Sequence, residues 1–441
     1  MASPIVFTSA PPASLFKFPP YSDPQPIPPP PSSDYLFTIP ENLYTAALDP
    51  KVPLTIAAVY AVTAKALNAY NRSTGKKPWA ISKTKAFHAF VVAHNVFLAI
   101  YSAWTWYGML NALQHTVVSP SGPNGWAGTV DSFCKFHGPQ GLRNAITFNQ
   151  KSMGWESIAG VTLSEEGLPS RLDGGRMWNE GLAFYGWLFY ISKFYEVLDT
   201  LIILAKGKFS STLQTYHHAG AMMAMWAGMR YMSAPIWIFV FFNSFIHALM
   251  YTYYTITAFN IRVPNVIKRT LTSMQISQFV IGGSSAMVHS FISYLIPVHT
   301  PVESADAAAS AIASGAEGSQ ESGYVTRYHK VDCINTTGAT FAIWLNVFYL
   351  APLTYLFVSF FIASYLKRSK SESMRLKSGG RRQSNVLLAE KASWDAARKV
   401  EREVYGESKG DEVILEDSDE AGDKARAQKT NGRRANGRAK H

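Results

Sequence analysis

Three imidazoles and two carboxylates stand inside sequence that is otherwise fit for lipid. In KFYEVLDTLIILAKGKFSSTLQTYHHAG, residues 193–220, Lys193, Glu196 and Asp199 recur at helical spacing and line one stripe. Gln214, His217 and His218 follow at i, i+3 and i+4 and share a face of the next segment. Downstream, NSFIHALMYTYY sets Asn243, His247, Tyr251 and Tyr254 on one stripe, and SMQISQ adds Gln275 and Gln278. A neutral imidazole can attack a carbonyl, carry protons or bind a metal, while an amide can only hydrogen-bond. A single amide can serve as glue between helices. Four segments that aim polar groups at one depth, however, argue for a common site, because ionisable groups in hydrocarbon are costly and usually functional.

The elements that must carry these residues are apolar. Charged residues make up 16% of the 441 and aromatics 13%. Segments of about 20 apolar residues, the length needed to cross a bilayer, fall near 52–71, 85–112, 180–205, 210–229, 234–257, 270–297 and 338–365. The reading is an all-α polytopic membrane protein with seven spans, and Lys65 in the first leaves six as the alternative. Residues 1–50 are Pro-rich, lack the pattern of a cleavable signal and read as disordered. Residues 51–366 form the membrane domain and 367–441 a charged tail.

Basic residues of short loops are retained on the cytosolic side. Arg72, Lys76, Lys77, Lys83 and Lys85 mark one such loop, Lys206 and Lys208 a second, and Arg262, Lys268 and Arg269 a third. The tail from Lys367 falls on the same side, so the N-terminus is expected in the lumen and the C-terminus in the cytosol. The formal charge of +11 then reflects topology and attraction to a membrane surface, not nucleic-acid binding. Cys134 and Cys333 both map to lumenal loops in this scheme, an oxidising setting in which a disulfide between them is expected.

Adjacent histidines also suggest iron, as in membrane desaturases and hydroxylases. A di-iron site needs about eight ligands, whereas the cytosolic half offers His217, His218, His247, Glu196, Asp199 and few other acids. No metal is therefore assigned. A seven-span lipid receptor or carrier is the alternative of a different class, but the chain has no internal repeat of the kind common in carriers.

KFYEVLDT resembles the KxxExxDT box, QTYHH the HxxHH box, NSFIHALMYTYY the NxxHxxMYxYY box and MQISQF the QxxQ box of the ELO family of very-long-chain fatty acid elongases. The resemblance covers residues 52 to 365; Gln214 replaces the first histidine of the second box, and the embellished ends and loops look like those of a fungal or protist form. It implies a multi-pass enzyme of the endoplasmic reticulum that condenses malonyl-CoA with a long-chain acyl-CoA to 3-oxoacyl-CoA, CoA and carbon dioxide. It also implies an acyl tunnel ringed by the last six spans, no cofactor beyond the substrates, and the reductases and dehydratase of the elongation cycle as partners. A homo-oligomer is left open.

A covalent acyl-enzyme would divide such a reaction into two easier steps. Both cysteines lie on the wrong side, so an imidazole is the remaining nucleophile: His217, with His218 as the close alternative, and with His218 and His247 handling protons. Asp199 and Glu196 are candidates to fix histidine tautomers; Gln214, Asn243, Gln275 and Gln278 to bind thioester or enolate oxygens; Lys193 to pair with Glu196 or meet CoA phosphate; Tyr251 and Tyr254 to line the CoA path. Lys206, Lys208, Arg262, Lys268 and Arg269 are weaker candidates for the CoA phosphates.

Overall fold

The computed structural model describes residues 5–20, 23–31, 35–301, 317–318 and 324–362. In chain order, β1 (Val6–Thr8) precedes α1 (Glu41–Ala47), α2 (Lys51–Ser73) and α3 (Lys85–Thr116). Next come α4 (Gly125–Cys134) and the hairpin of β2 (Ile146–Asn149) and β3 (Gly154–Ser157). Helices α5 (Ala183–Tyr195), α6 (Val197–Ala205), α7 (Thr212–Arg230), α8 (Ile236–Ala258) and α9 (Asn265–His289) follow. Strands β4 (Ile292–Pro301), β5 (Glu317–Gly318) and β6 (Tyr324–Asp332) lead to α10 (Thr337–Phe361).

Local chemistry starts the long helices. The hydroxyls of Thr84, Ser211 and Thr336 accept from the backbone N–H of Phe87, Gln214 and Ala339 and so cap α3, α7 and α10. Gly207, at φ +75°, makes the tight α6–α7 turn, where a Cβ would collide with the backbone of Lys76 and Lys77. Among the described residues α2, α3, α8 and residues Thr337–Ser359 of α10 are long and apolar enough to cross a membrane.

The helices close into a ring. Helix α5 packs on α7, α7 on α10, α10 on α9, α9 on α8, α8 on α3, and α3 returns to α5; α2 lies outside against α6 and α7. One continuous core runs through it, with Trp178, Phe184, Tyr190, Ala227 and Leu353 fully buried.

Four expectations need correction. The fold is mostly helical, not all-α: a four-stranded antiparallel sheet of order β1-β4-β6-β5 and the β2–β3 hairpin accompany the ring. The apolar segment 270–297 is not helical throughout, because its helix stops at His289 and its end enters β4. There the alternation of ISYLI buries Tyr294 and Ile296, while β6 satisfies the backbone from Ser293↔Asp332 onward. The segment 180–205 is two helices that break at Glu196, whose carbonyl accepts from Asp199 N–H in a tighter turn.

The Pro-rich N-terminus is not disordered where it is described. Its carbonyls receive side-chain donors: Trp178 Nε1 reaches the Ile27 oxygen at 2.8 Å, Arg230 that of Pro24 at 2.9 Å, and Trp226 Nε1 that of Leu48 at 2.8 Å. Ile27, Ile39, Tyr44 and Leu48 join the core. Prolines hold the chain extended and donate no N–H, so the carbonyls stay available and little entropy is lost on docking. The charged tail 367–441 lies outside the described residues.

A cap covers the end of the ring where α7 finishes and α8 and α10 begin. Cys134, ending α4, is disulfide-bonded to Cys333, which follows β6. Arg176 pairs with Asp131 at 2.9 Å, Tyr294 donates to the same carboxylate at 2.6 Å, and Lys135 Nζ donates to the carbonyls of Asp332 and Cys333. Buried charges survive here because each is paired or bonded.

Candidate active site

Lys193 lies in the last turn of α5 and Glu196 at the break that follows it. Lys193 and Glu196 are buried and meet at 2.7 Å, and Ser192 donates to the same carboxylate oxygen at 3.1 Å. Lys193 also donates to Asn243 Oδ1 at 3.2 Å, and Asn243 Nδ2 donates to Gln278 Oε1 at 3.2 Å. The chain of bonds commits the Gln278 carbonyl, leaving its NH2 group as the donor that faces onward. His247 Nδ1 stands 3.6 Å from Glu196 Oε1, beyond hydrogen-bond length but within ion-pair reach.

His217 and His218 lie side by side on α7, their ring centroids 5.4 Å apart. His217 Nδ1 is 2.9 Å from the hydroxyl of Tyr349 on α10. His218 turns the other way, edge-on to Tyr60 of α2 at 6.1 Å. A partly open pocket lies beside His217, with Lys193, Asn243, Gln278 and Asn346 among its polar lining. Its remaining wall is apolar and includes Met225, Ile238, Phe239 and Phe242. Met225 follows His217 by two turns of helix, so the apolar part extends roughly 12 Å toward the cap. The arrangement sets one imidazole, one ammonium and three amide groups at the head of a lipid-like slot.

Other candidates take different places. Asp199 accepts from Tyr251 at 2.6 Å and pairs with His94 Nε2 at 2.8 Å; its bonds do not run to His217, His218 or His247. Gln214 donates to Thr200 Oγ1 at 3.1 Å and keeps its own oxygen buried, away from the cavity and without a partner among the described residues. Gln275 Nε2 contacts Met250 Sδ at 3.3 Å, and Tyr254 packs edge-on to Tyr251. Lys206 and Lys208 lie at the α6–α7 turn; Arg262 precedes α9, and Lys268 and Arg269 sit in its first turns, with Arg269 over the Phe361 ring. Among the described residues no three His, Cys, Asp or Glu side chains are placed to share a metal ion.

Sequence reasoning passed over His94, Tyr60, Asn346 and Tyr349. The ring of His94 is buried against the Asp199 carboxylate. Asn346 and Tyr349 are spaced i, i+3 in the last apolar segment, a polar pair that could have been singled out.

The GNS1/SUR4 family profile matches residues 45–373. Long chain fatty acid elongase 1 of Caenorhabditis elegans is 27% identical over 44% of this chain and 54% of its own length. Fatty acid elongase 2 of Trypanosoma brucei brucei is 29% identical over 30% of this chain and 50% of its own. Human very long chain fatty acid elongase 3 is 33% identical over 24% and 38%. The chain thus spans at most 54% of the length of these relatives. The profile, by contrast, runs from α1 to beyond α10 and takes in every helix of the ring, and on that match the chain belongs to the GNS1/SUR4, or ELO, family.

Proposed function

We propose that this protein elongates fatty acids by condensing malonyl-CoA with a long-chain acyl-CoA, giving 3-oxoacyl-CoA, CoA and carbon dioxide through an acyl group held on His217. The observation that carries the reading is the cavity: a histidine with amides and a lysine at one end and an apolar slot at the other suits a thioester with its acyl tail. Family membership and the names of the relatives support the same activity.

His217 supplies the nucleophile and lies on the cavity wall, whereas His218 faces α2. Gln278 and Asn243 donate to the oxygens that gain charge, held by Lys193 and Glu196 behind them. His247 serves as proton carrier beside Glu196. The basic residues at the α6–α7 and α8–α9 turns attract the CoA phosphates. This reading requires no cofactor beyond the two substrates.

The membrane arrangement in this reading counts α5 and α6 as one broken span, which with α2, α3, α7, α8, α9 and α10 makes seven. The site faces the cytosol and the cap the lumen of the endoplasmic reticulum, close to the reductases and dehydratase that process the product. Purified protein incubated with carboxyl-labelled malonyl-CoA should release carbon dioxide only when acyl-CoA is added. Digestion after exposure to acyl-CoA alone should find the acyl mass on the peptide containing Tyr216 to Ala219. Saturable acyl-CoA binding with no carbon dioxide release sinks the enzymatic reading.

A further inference from the structure

Tyr349 makes two contacts with one residue. Its hydroxyl lies 2.9 Å from the backbone oxygen of His217 and 2.9 Å from the Nδ1 of the same histidine. A phenol has one proton, and a carbonyl oxygen can only accept. Both contacts are satisfied in a single way: Tyr349 donates to the carbonyl, and His217 donates from Nδ1 to the phenolic oxygen. Neutral His217 is then the Nδ1–H tautomer, with its lone pair on Nε2. Among the described residues Nε2 has no hydrogen-bond partner, and His217 lines the cavity.

The placement is built into two helices. Gly220, one turn beyond Tyr216, lets α10 approach α7, since a Cβ there would collide with the Tyr349 ring. Tyr216 donates to the Tyr349 carbonyl at 3.1 Å and packs against its ring at 5.6 Å. Tyr349 is itself buried. Its hydroxyl therefore has little freedom to turn elsewhere.

We propose that Tyr349 is a positioning residue that holds His217 as the Nδ1–H tautomer through the whole cycle and directs the Nε2 lone pair at the acyl carbonyl. The inference rests on the acyl-imidazole reading above. In the first transfer the Nε2 lone pair forms the new N–C bond and the thioester C–S bond breaks. Its electron pair leaves on the CoA thiolate, which takes a proton from solvent. Nδ1 keeps its proton, so the acyl group rides on an imidazolium, a better leaving group than a neutral ring. In the second transfer the bond to the malonyl carboxylate breaks, carbon dioxide departs, and the enolate carbon attacks the acyl carbonyl. The C–N pair returns to Nε2 and regenerates the neutral Nδ1–H imidazole, with no proton moved on His217 in either step.

Two measurements test this. Proton–nitrogen correlation spectra of detergent-solubilised protein labelled with ¹⁵N-histidine, with the His217 signals assigned by their loss in His217→Gln, should show the Nδ1–H pattern in the unaltered protein and a mixed pattern in Tyr349→Phe. Release of CoA from acyl-CoA alone should slow about 10- to 100-fold in Tyr349→Phe, the loss that follows removal of a hydrogen-bond partner orienting a metal-ligating histidine, with KM for acyl-CoA unchanged. An Nε2–H tautomer in the unaltered protein, or acylation of Tyr349→Phe at the parent rate, overturns the proposal. If the unaltered protein forms no adduct on His217, the acyl-imidazole reading fails instead, and the spectra still decide whether Tyr349 sets the tautomer.

Discussion

His94 Nε2 and Asp199 Oδ1 meet at 2.8 Å, and the Tyr251 hydroxyl donates to the other oxygen of that carboxylate at 2.6 Å. The pair ties α3 to α6 and α8 one layer behind the candidate site, and the Tyr251 ring packs edge-on against His247 at 5.7 Å. Replacing His94 by Leu should leave one oxygen of the carboxylate unbonded and loosen Tyr251. Turnover is expected to fall about 10-fold or more, while His94→Gln, which keeps an N–H, recovers part of it. Steady-state rates of the two variants check this, and parent-like turnover in His94→Leu would reduce the pair to packing.

Lys193 and Glu196 present a separable balance. Both side chains are under 5% exposed, so removing one charge strands the other. Lys193→Met should cost about 3–5 kcal/mol, read as a lower melting temperature in detergent. The double change Lys193→Met with Glu196→Gln should regain much of that stability and none of the turnover, because Asn243 loses the donor that orients it. Full turnover in the double variant would remove Lys193 from the site.

The Cys134–Cys333 bridge spans 199 residues of sequence and ties α4 to the strand that leads into α10. Opening it by Cys→Ser changes at both positions should cost about 2–5 kcal/mol. Thermal stability should drop, and the condensation rate of protein that remains folded should change little. Both thiols alkylating without reductant in the native protein would contradict the bridge.

His137 lies in the cap, T-shaped against Trp155 at 5.0 Å, with Nε2 buried and unbonded among the described residues. Burial, and then the charge of Arg176, push its pKa down to about 3. The unfolded imidazole takes a proton near its ordinary value of 6.5 while the folded one does not, so the unfolded state binds more protons between those values. Stability from this group is complete above pH 6.5 and is lost on acidification, by up to about 1.4 kcal/mol per pH unit. Asp23 acts oppositely, because burial raises its carboxyl to about 6 and the folded state gains the proton first. Melting temperatures of His137→Phe against the parent between pH 7 and 5 isolate the imidazole: the difference should move in favour of the variant as pH falls. A pH-independent difference would count against it.

Periodicity and residue chemistry are local properties, and they carried a good deal. The spacing of Lys193 and Glu196, of His217 and His218, and of Asn243 and His247 is set by 3.6 residues per turn, so which groups share a stripe was legible without coordinates. The box sequences from Lys193 to Gln278 were likewise enough to point to the family. What the stripes face depends on crossing helices and was not legible. Tertiary packing sent Asp199 to His94, turned His218 toward Tyr60, and brought Tyr349 from more than a hundred residues away onto His217. It also decided that 292–297 pairs as a strand and that a Pro-rich segment docks. Hydropathy records how apolar a segment is, whereas strand pairing and docking depend on distant donors and acceptors: β6 for the one, and the indoles of Trp178 and Trp226 for the other.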